Sequence, residues 1–207
     1  MRLSFRLALA LAIAAGAAVH AATFKSTWKA PDAGTIGFAG KKVAALLISK
    51  DDALRMSAEE ALARQLTAIG VQGVGAYRLI PREELENKDK AKAWFEKTGV
   101  EGVVAMRPVS AKTVTTYTPS MWSSGYYTSL WGYYGYTWGA VYDPGYLRED
   151  TVVTVETLVF SVPRDKLLWA ALSETTNPKS MDAFMKDLVT TAVKEMKKAG
   201  LTAKPRT

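Results

Sequence analysis

The sequence predicts an α+β domain with an α/β-like first half, ordered β-α-β-α-β-(aromatic insert)-β-β-α, in which helices pack a mixed sheet. Three observations carry this prediction. Short apolar runs alternate with amphipathic stretches over residues 42–108, the rhythm of parallel strands joined by helical crossovers. Residues 150–162 (DTVVTVETLVFSV) alternate and are β-branched; after the turn Pro163-Arg164-Asp165-Lys166 a second apolar run (167–175) returns, which makes an antiparallel hairpin. The 207 residues are 48% hydrophobic and 23% charged and include no cysteine, so a core without disulfides must hold the fold.

In chain order, residues 1–21 read as a cleavable secretory signal peptide. Arg2 and Arg6 form the positive start, residues 7–19 are apolar, and Val19-His20-Ala21 places small residues at −3 and −1 of a cleavage point before Ala22. The apolar run is short and rich in alanine, whereas a spanning helix needs about 20 apolar residues. No later stretch approaches that length, so no transmembrane segment is expected after cleavage; the periplasm is the expected compartment, with secretion or outer-membrane association as the alternatives. The position after the cleavage point is Ala22, and without cysteine a thioether-linked lipid anchor has no attachment point. Loss of Arg2 and Arg6 lowers the net charge from +7 to +5.

Residues 22–40 read as an extended lead-in segment, with Trp28 and Phe38 as candidates to dock on the core. A single domain is expected over 41–200, with an insert at 119–147 and a frayed tail at 201–207. Its first strand is 42–49 (KVAALLIS). A helix follows, capped by Asp51 or Asp52 and stopped at Gly70; Leu54, Ala58, Leu62, Leu66 and Ile69 fall on one of its faces. Residues 71–80 read as a second strand, 82–98 contain a second helix ended by Gly99, and a third strand runs from Val100 through Pro108 into AKTVTTYT. After the hairpin, Asn177-Pro178 opens the last helix, whose stripe of Phe184, Met185, Leu188, Val189, Ala192, Val193 and Met196 ends before Gly200.

The insert is the unusual part. Between Lys112 and Asp143 there is no charged residue. Nine of the 22 residues from Met121 to Tyr142 are aromatic: Trp122, Tyr126, Tyr127, Trp131, Tyr133, Tyr134, Tyr136, Trp138 and Tyr142. Gly125, Gly132, Gly135 and Gly139 interrupt them, which argues against a helix. Tyr, Trp, Gly and Ser together are the composition of adaptable binding loops, and the nine aromatics are the candidate binding residues. Such rings stack on sugars, grip peptides or sit among lipid headgroups. The same composition also fits a low-complexity insert that folds back over the sheet or self-associates.

Most catalytic classes lack their residues. The single histidine, His20, lies in the signal peptide, so the mature chain has neither imidazole nor thiol for a triad, a cysteine nucleophile or a zinc site. No phosphate-binding or dinucleotide motif occurs, no cofactor or metal is expected, and no nucleic-acid motif appears. The pairs Asp51/Asp52 and Glu59/Glu60 and the group Glu83/Glu84/Glu86 are expected at helix starts or on exposed faces. Glu156, inside an apolar strand, is expected to face solvent by alternation. A glycosidase-type carboxylate pair would have to come from these acids, and an unidentified hydrolase is the last of the expected functions.

KKVAALLISKDDALRMSAEEALARQL, GVEGVVAMRPVSAKTV, the Tyr/Gly-rich insert and VVTVETLVFSVPRDKLLWAALSET together resemble a family of uncharacterised Gram-negative envelope proteins, usually lipoproteins, over residues 40–200. The architecture also looks like the amino-terminal domain of the Tol-system propeller protein TolB, the lipoprotein activators of penicillin-binding proteins and the periplasmic domain of the curli secretion lipoprotein. The resemblance implies a protein-binding domain rather than an enzyme; this chain departs from the lipoprotein pattern in lacking the cysteine. The expected function is therefore a non-enzymatic envelope interaction domain that contacts a protein partner through the insert. A glycan- or peptidoglycan-binding module built on the same rings is the alternative.

Overall fold

The computed structural model describes residues 23–113, 128–138, 151–176 and 178–202. Residues 1–21, the expected signal peptide, together with Trp122, Tyr126, Tyr127, Tyr142 and the end of the tail, lie outside the described residues. The remainder forms one six-stranded mixed sheet covered by helices on both faces.

The strands are β1 (Thr23–Lys29), β2 (Lys42–Leu47), β3 (Gln72–Gly75), β4 (Gly102–Thr113), β5 (Thr151–Ser161) and β6 (Lys166–Thr176), in spatial order β1-β6-β5-β4-β2-β3. The helices are α1 (Asp52–Ala68), α2 (Lys88–Lys97), α3 (Leu130–Thr137) and α4 (Met181–Lys198). β2 pairs in parallel with β3 and β4, as the helical crossovers require. β4, β5 and β6 are antiparallel, and the 151–176 hairpin closes through a turn in which Asp165 adopts φ +44°.

Side-chain alternation sorts the strands into two apolar layers. Val43, Ala45, Leu47, Val104 and Val155 point to α1 and α4. Ala44, Leu46, Ala105, Leu158 and Phe160 point to α2 and α3. Each fully buried aliphatic or aromatic side chain contributes about 1.5–3 kcal/mol. The predicted α4 stripe from Phe184 to Met196 is buried against the first layer. α1 lies so close to β3 that a Cβ on Gly73 would sit 2.2 Å from the Ala63 carbonyl oxygen.

β1, β3 and α4 differ from expectation. The lead-in segment contains β1, which joins the sheet edge antiparallel to β6 with Thr23 opposite Glu174. Phe38 docks on the core at 1% exposure, whereas Trp28 on β1 remains 36% exposed. The strand expected over 71–80 stops at Gly75, because the Tyr77 amide turns to the Glu59 carboxylate (2.7 Å) and the chain enters the short 3₁₀ turn Ala76–Arg78. The last helix begins at Met181 rather than at Pro178, and Asn177, its expected cap, lies outside the described residues. Ser180 is extended (φ −158°), and its hydroxyl caps α4 by accepting from the Ala183 amide at 3.2 Å.

Candidate functional site

The central part of the insert is a helix. The Ser129 hydroxyl accepts from the Gly132 amide at 3.4 Å and donates to the Asp165 carboxylate at 2.7 Å. Asp165 also accepts from the Trp131 amide (3.3 Å), and the Leu167 amide donates to the Thr128 carbonyl (3.0 Å). The start of α3 is thereby clamped to the β5–β6 turn. The glycine argument against a helix fails here for an energetic reason. Gly132 and Gly135 each cost about 1 kcal/mol relative to alanine in a helix, and burial of Leu130, Trp131, Tyr133 and Tyr134 outweighs them.

Five of the nine candidate aromatics lie in this helix or at its end, and they divide sharply. Tyr133 and Tyr134 are fully buried and Trp131 is 7% exposed, so these three are core residues and not a contact surface. Tyr134 stands edge-on to Phe95 of α2 (6.3 Å) and its hydroxyl donates to the Leu85 carbonyl. Trp131 packs on Phe95 (6.2 Å), and Tyr133 packs on Phe160 of β5 (5.4 Å). Burial holds the Tyr134 phenol well above the usual tyrosine range. Trp138 is half-buried against Tyr134, and Tyr136 is 43% exposed with the Arg107 guanidinium 5.6 Å from its ring centre.

Beneath α3 lies an ion pair that sequence reasoning missed. Glu156 is completely buried, contrary to the expected solvent-facing position, because helices cover both faces of β5 and alternation leaves no wet side. The Arg107 Nε of β4 donates to its Oε1. Burial raises the Glu156 carboxyl, opposed by Arg107 and by the Tyr133 hydroxyl.

Glu59 also departs from its expected exposed face and is 1% exposed. Its Oε1 accepts from the Leu47 amide (3.1 Å), its Oε2 from the Tyr77 amide, and the Arg55 guanidinium lies 3.6 Å away. It therefore staples the diverging ends of β2 and β3 to α1. Burial pushes it up to about 7, against the pull of the Tyr77 amide, Arg55 and the Leu47 amide.

Two shallow cavities open on the α1 side. One of about 240 Å³ lies between α1 and β3, lined by Glu60, Ala63, Arg64, Gly73, Gly75 and Arg78 among others. Another of about 430 Å³ lies between α1 and α4, with Ala58, Ala61, Met185, Arg64 and Lys186 in its wall. Neither Glu59 nor Glu156 lines them. Among the described residues no group of three or more Asp, Glu, His or Cys is placed to hold a metal ion, and no helix is long and apolar enough to cross a membrane.

No family model and no curated protein matches the chain. Among solved structures, the chain is similar to the PelC dodecamer from Paraburkholderia phytofirmans, at 15% identity and a TM-score of 0.46, over 88% of this chain and 99% of that one. A point variant of the same dodecamer gives 15% identity and a TM-score of 0.47 over 87% and 99%.

Proposed function

We propose that the chain is an exported, non-enzymatic envelope domain that binds a protein partner through the aromatic insert, with α3 as the anchor of that insert. The observation that carries this reading is the division of the aromatics. Trp131, Tyr133 and Tyr134 are spent on the core and clamp the centre of the insert to α2 and β5. The contact role passes to Tyr136 and Trp138 on α3 and, from sequence, to Trp122, Tyr126, Tyr127 and Tyr142 on either side of it. The buried carboxylates support contact rather than chemistry. Glu59 is taken up by backbone amides and Arg55, Glu156 by Arg107, and neither opens onto a described cavity.

The anchor dictates the design of the test. Deleting the whole insert removes core side chains and would unfold the domain, so Trp122, Tyr126, Tyr127 and Tyr142 are changed to Ser with α3 intact. Cross-linking in cells followed by capture should lose specific partners relative to wild type. Identical partner profiles from two folded proteins would sink the proposal. Loss of sedimentation with purified peptidoglycan, with protein partners unchanged, would favour the glycan-binding alternative.

A further inference from the structure

The cavity of about 430 Å³ between α1 and α4 has the size of a small-ligand site. Ala58 and Met185 floor it at 5% and 2% exposure. The small side chains of Ser57, Ala61 and Ala183 leave it open between the two helices. Its walls are helical, so their main-chain groups are bonded within the helix, and the Ala183 amide in the first turn of α4 is taken by the Ser180 hydroxyl. An extended peptide finds no ladder there. The Ser57 hydroxyl is the one uncharged polar side chain among the described residues of the wall, too little to hold a sugar. The wall suits a hydrocarbon body.

Charge stands at the rim. Arg64 of α1 and Lys186 of α4 both line the cavity, which also adjoins the first turn of the 18-residue α4, the positive end of its dipole. Lys186 makes no ion pair among the described residues. Arg64 faces Glu60 at 3.6 Å, beyond hydrogen-bond length. Glu60 is held from its other side by the Tyr77 hydroxyl (2.9 Å) and by Arg78 (3.0 Å). The Arg64 guanidinium therefore keeps donors in reserve for a second anion. An apolar trough with two cations at its rim is complementary to a ligand with a hydrocarbon chain and an anionic head.

We propose that the α1–α4 cavity is a binding site, independent of the insert, for an anionic single-chain amphiphile, with its chain along Ala58, Ala61 and Met185 and its head on Arg64 and Lys186. The probes are octanoate, octyl phosphate and octylammonium, each titrated into isotope-labelled mature protein below its micelle concentration and followed by amide NMR. At about 1 mM probe, the two anions should give saturable shifts at Ala58, Ala61, Ala183 and Met185, weakening as salt is added. Octylammonium should bind about tenfold more weakly. Lengthening octanoate to decanoate should tighten binding about twofold to fourfold per methylene. Ala61→Phe fills the cavity and should abolish the shifts; if that variant does not fold, Ser57→Leu fills the same space. Arg64→Gln with Lys186→Gln, both at the surface, should bring octanoate down to the level of octylammonium. Saturable binding of either anion supports the site, and the tighter of the two tells a fatty acid from a phosphate-headed lipid. Shifts that do not saturate, equal binding of octylammonium by wild type, or unchanged octanoate binding by a folded cavity-filling variant overturns the proposal. The insert plays no part in this experiment, so failure here leaves the reading of the insert standing.

Discussion

Glu59 makes the stability of this domain depend on pH in a direction opposite to that of most carboxylates. In the unfolded chain its proton leaves near 4.5; in the folded protein burial holds the proton until about 7. Between those values the native state binds more protons than the unfolded state, so stability falls as pH rises. The stabilising contribution is fully present below 4.5 and lost as pH passes through about 7. The difference between the two values corresponds to about 3 kcal/mol at about 1.36 kcal/mol per pH unit, or a melting-temperature change of about 6–12 °C for a domain of this size. Urea melts of wild type and Glu59→Gln at pH 4.5, 6 and 8 isolate the effect. Glutamine satisfies one of the two backbone amides and crowds the other, so the variant starts lower by about 1–3 kcal/mol. The slope is therefore the readout, not the intercept. Wild type should lose about 3 kcal/mol more than the variant across the range. Glu156 contributes a slope of the same sign to both proteins and cancels in the comparison. Equal slopes, or a carboxyl carbon of Glu59 that titrates below 4.5, would refute the reasoning.

Arg107→Ala should destabilise by about 3–5 kcal/mol because it strands the buried Glu156 charge, while Arg107→Met combined with Glu156→Leu should recover most of the loss in denaturant melts. Gly73→Ala must push α1 away from β3, since its Cβ would meet the Ala63 carbonyl at 2.2 Å and the Leu66 Cβ at 2.9 Å; a loss of about 1–3 kcal/mol is expected, and a neutral melt would show that the helix gives way freely. Tyr134→Phe should cost about 1–3 kcal/mol by leaving the Leu85 carbonyl without its donor, whereas Tyr136→Ala, at an exposed position, should stay within about 1 kcal/mol of wild type. Thermal melts of the two variants side by side test whether α3 is divided between core and surface as described.

What the sequence made legible was regular periodicity. The β5–β6 hairpin, the α4 stripe and the α1 face each repeat a pattern over many residues, and the structure places all three as expected. β1 was not read because Lys25, Thr27 and Lys29 give it a polar edge character, although Phe24, Ser26 and Trp28 do alternate with them. Glu59 and Glu156 differ from the expectation for one shared reason: a polar residue in an amphipathic pattern is assigned to water, and here the chain at the ends of β2 and β3 covers Glu59 while helices cover Glu156. The insert did carry a usable signal. Leu130, Tyr133, Tyr134 and Thr137 fall at i, i+3, i+4 and i+7, and all four are fully buried. Aromatic and glycine content obscured that spacing. Composition alone does not separate a ring that packs from a ring that binds; helical spacing does.

The pairing of β1 with β6 has a kinetic consequence. Thr23 lies opposite Glu174, so the first strand of the domain has no neighbour until the chain has been made through nearly its whole length. Pairs so distant in sequence must close a very long loop, the kind of step that slows folding. A chain that enters its compartment amino terminus first would expose β1 as a lone strand while α1 and the parallel strands form behind it. The lysines on that strand, which guard the finished edge, would also keep the waiting segment soluble during the delay.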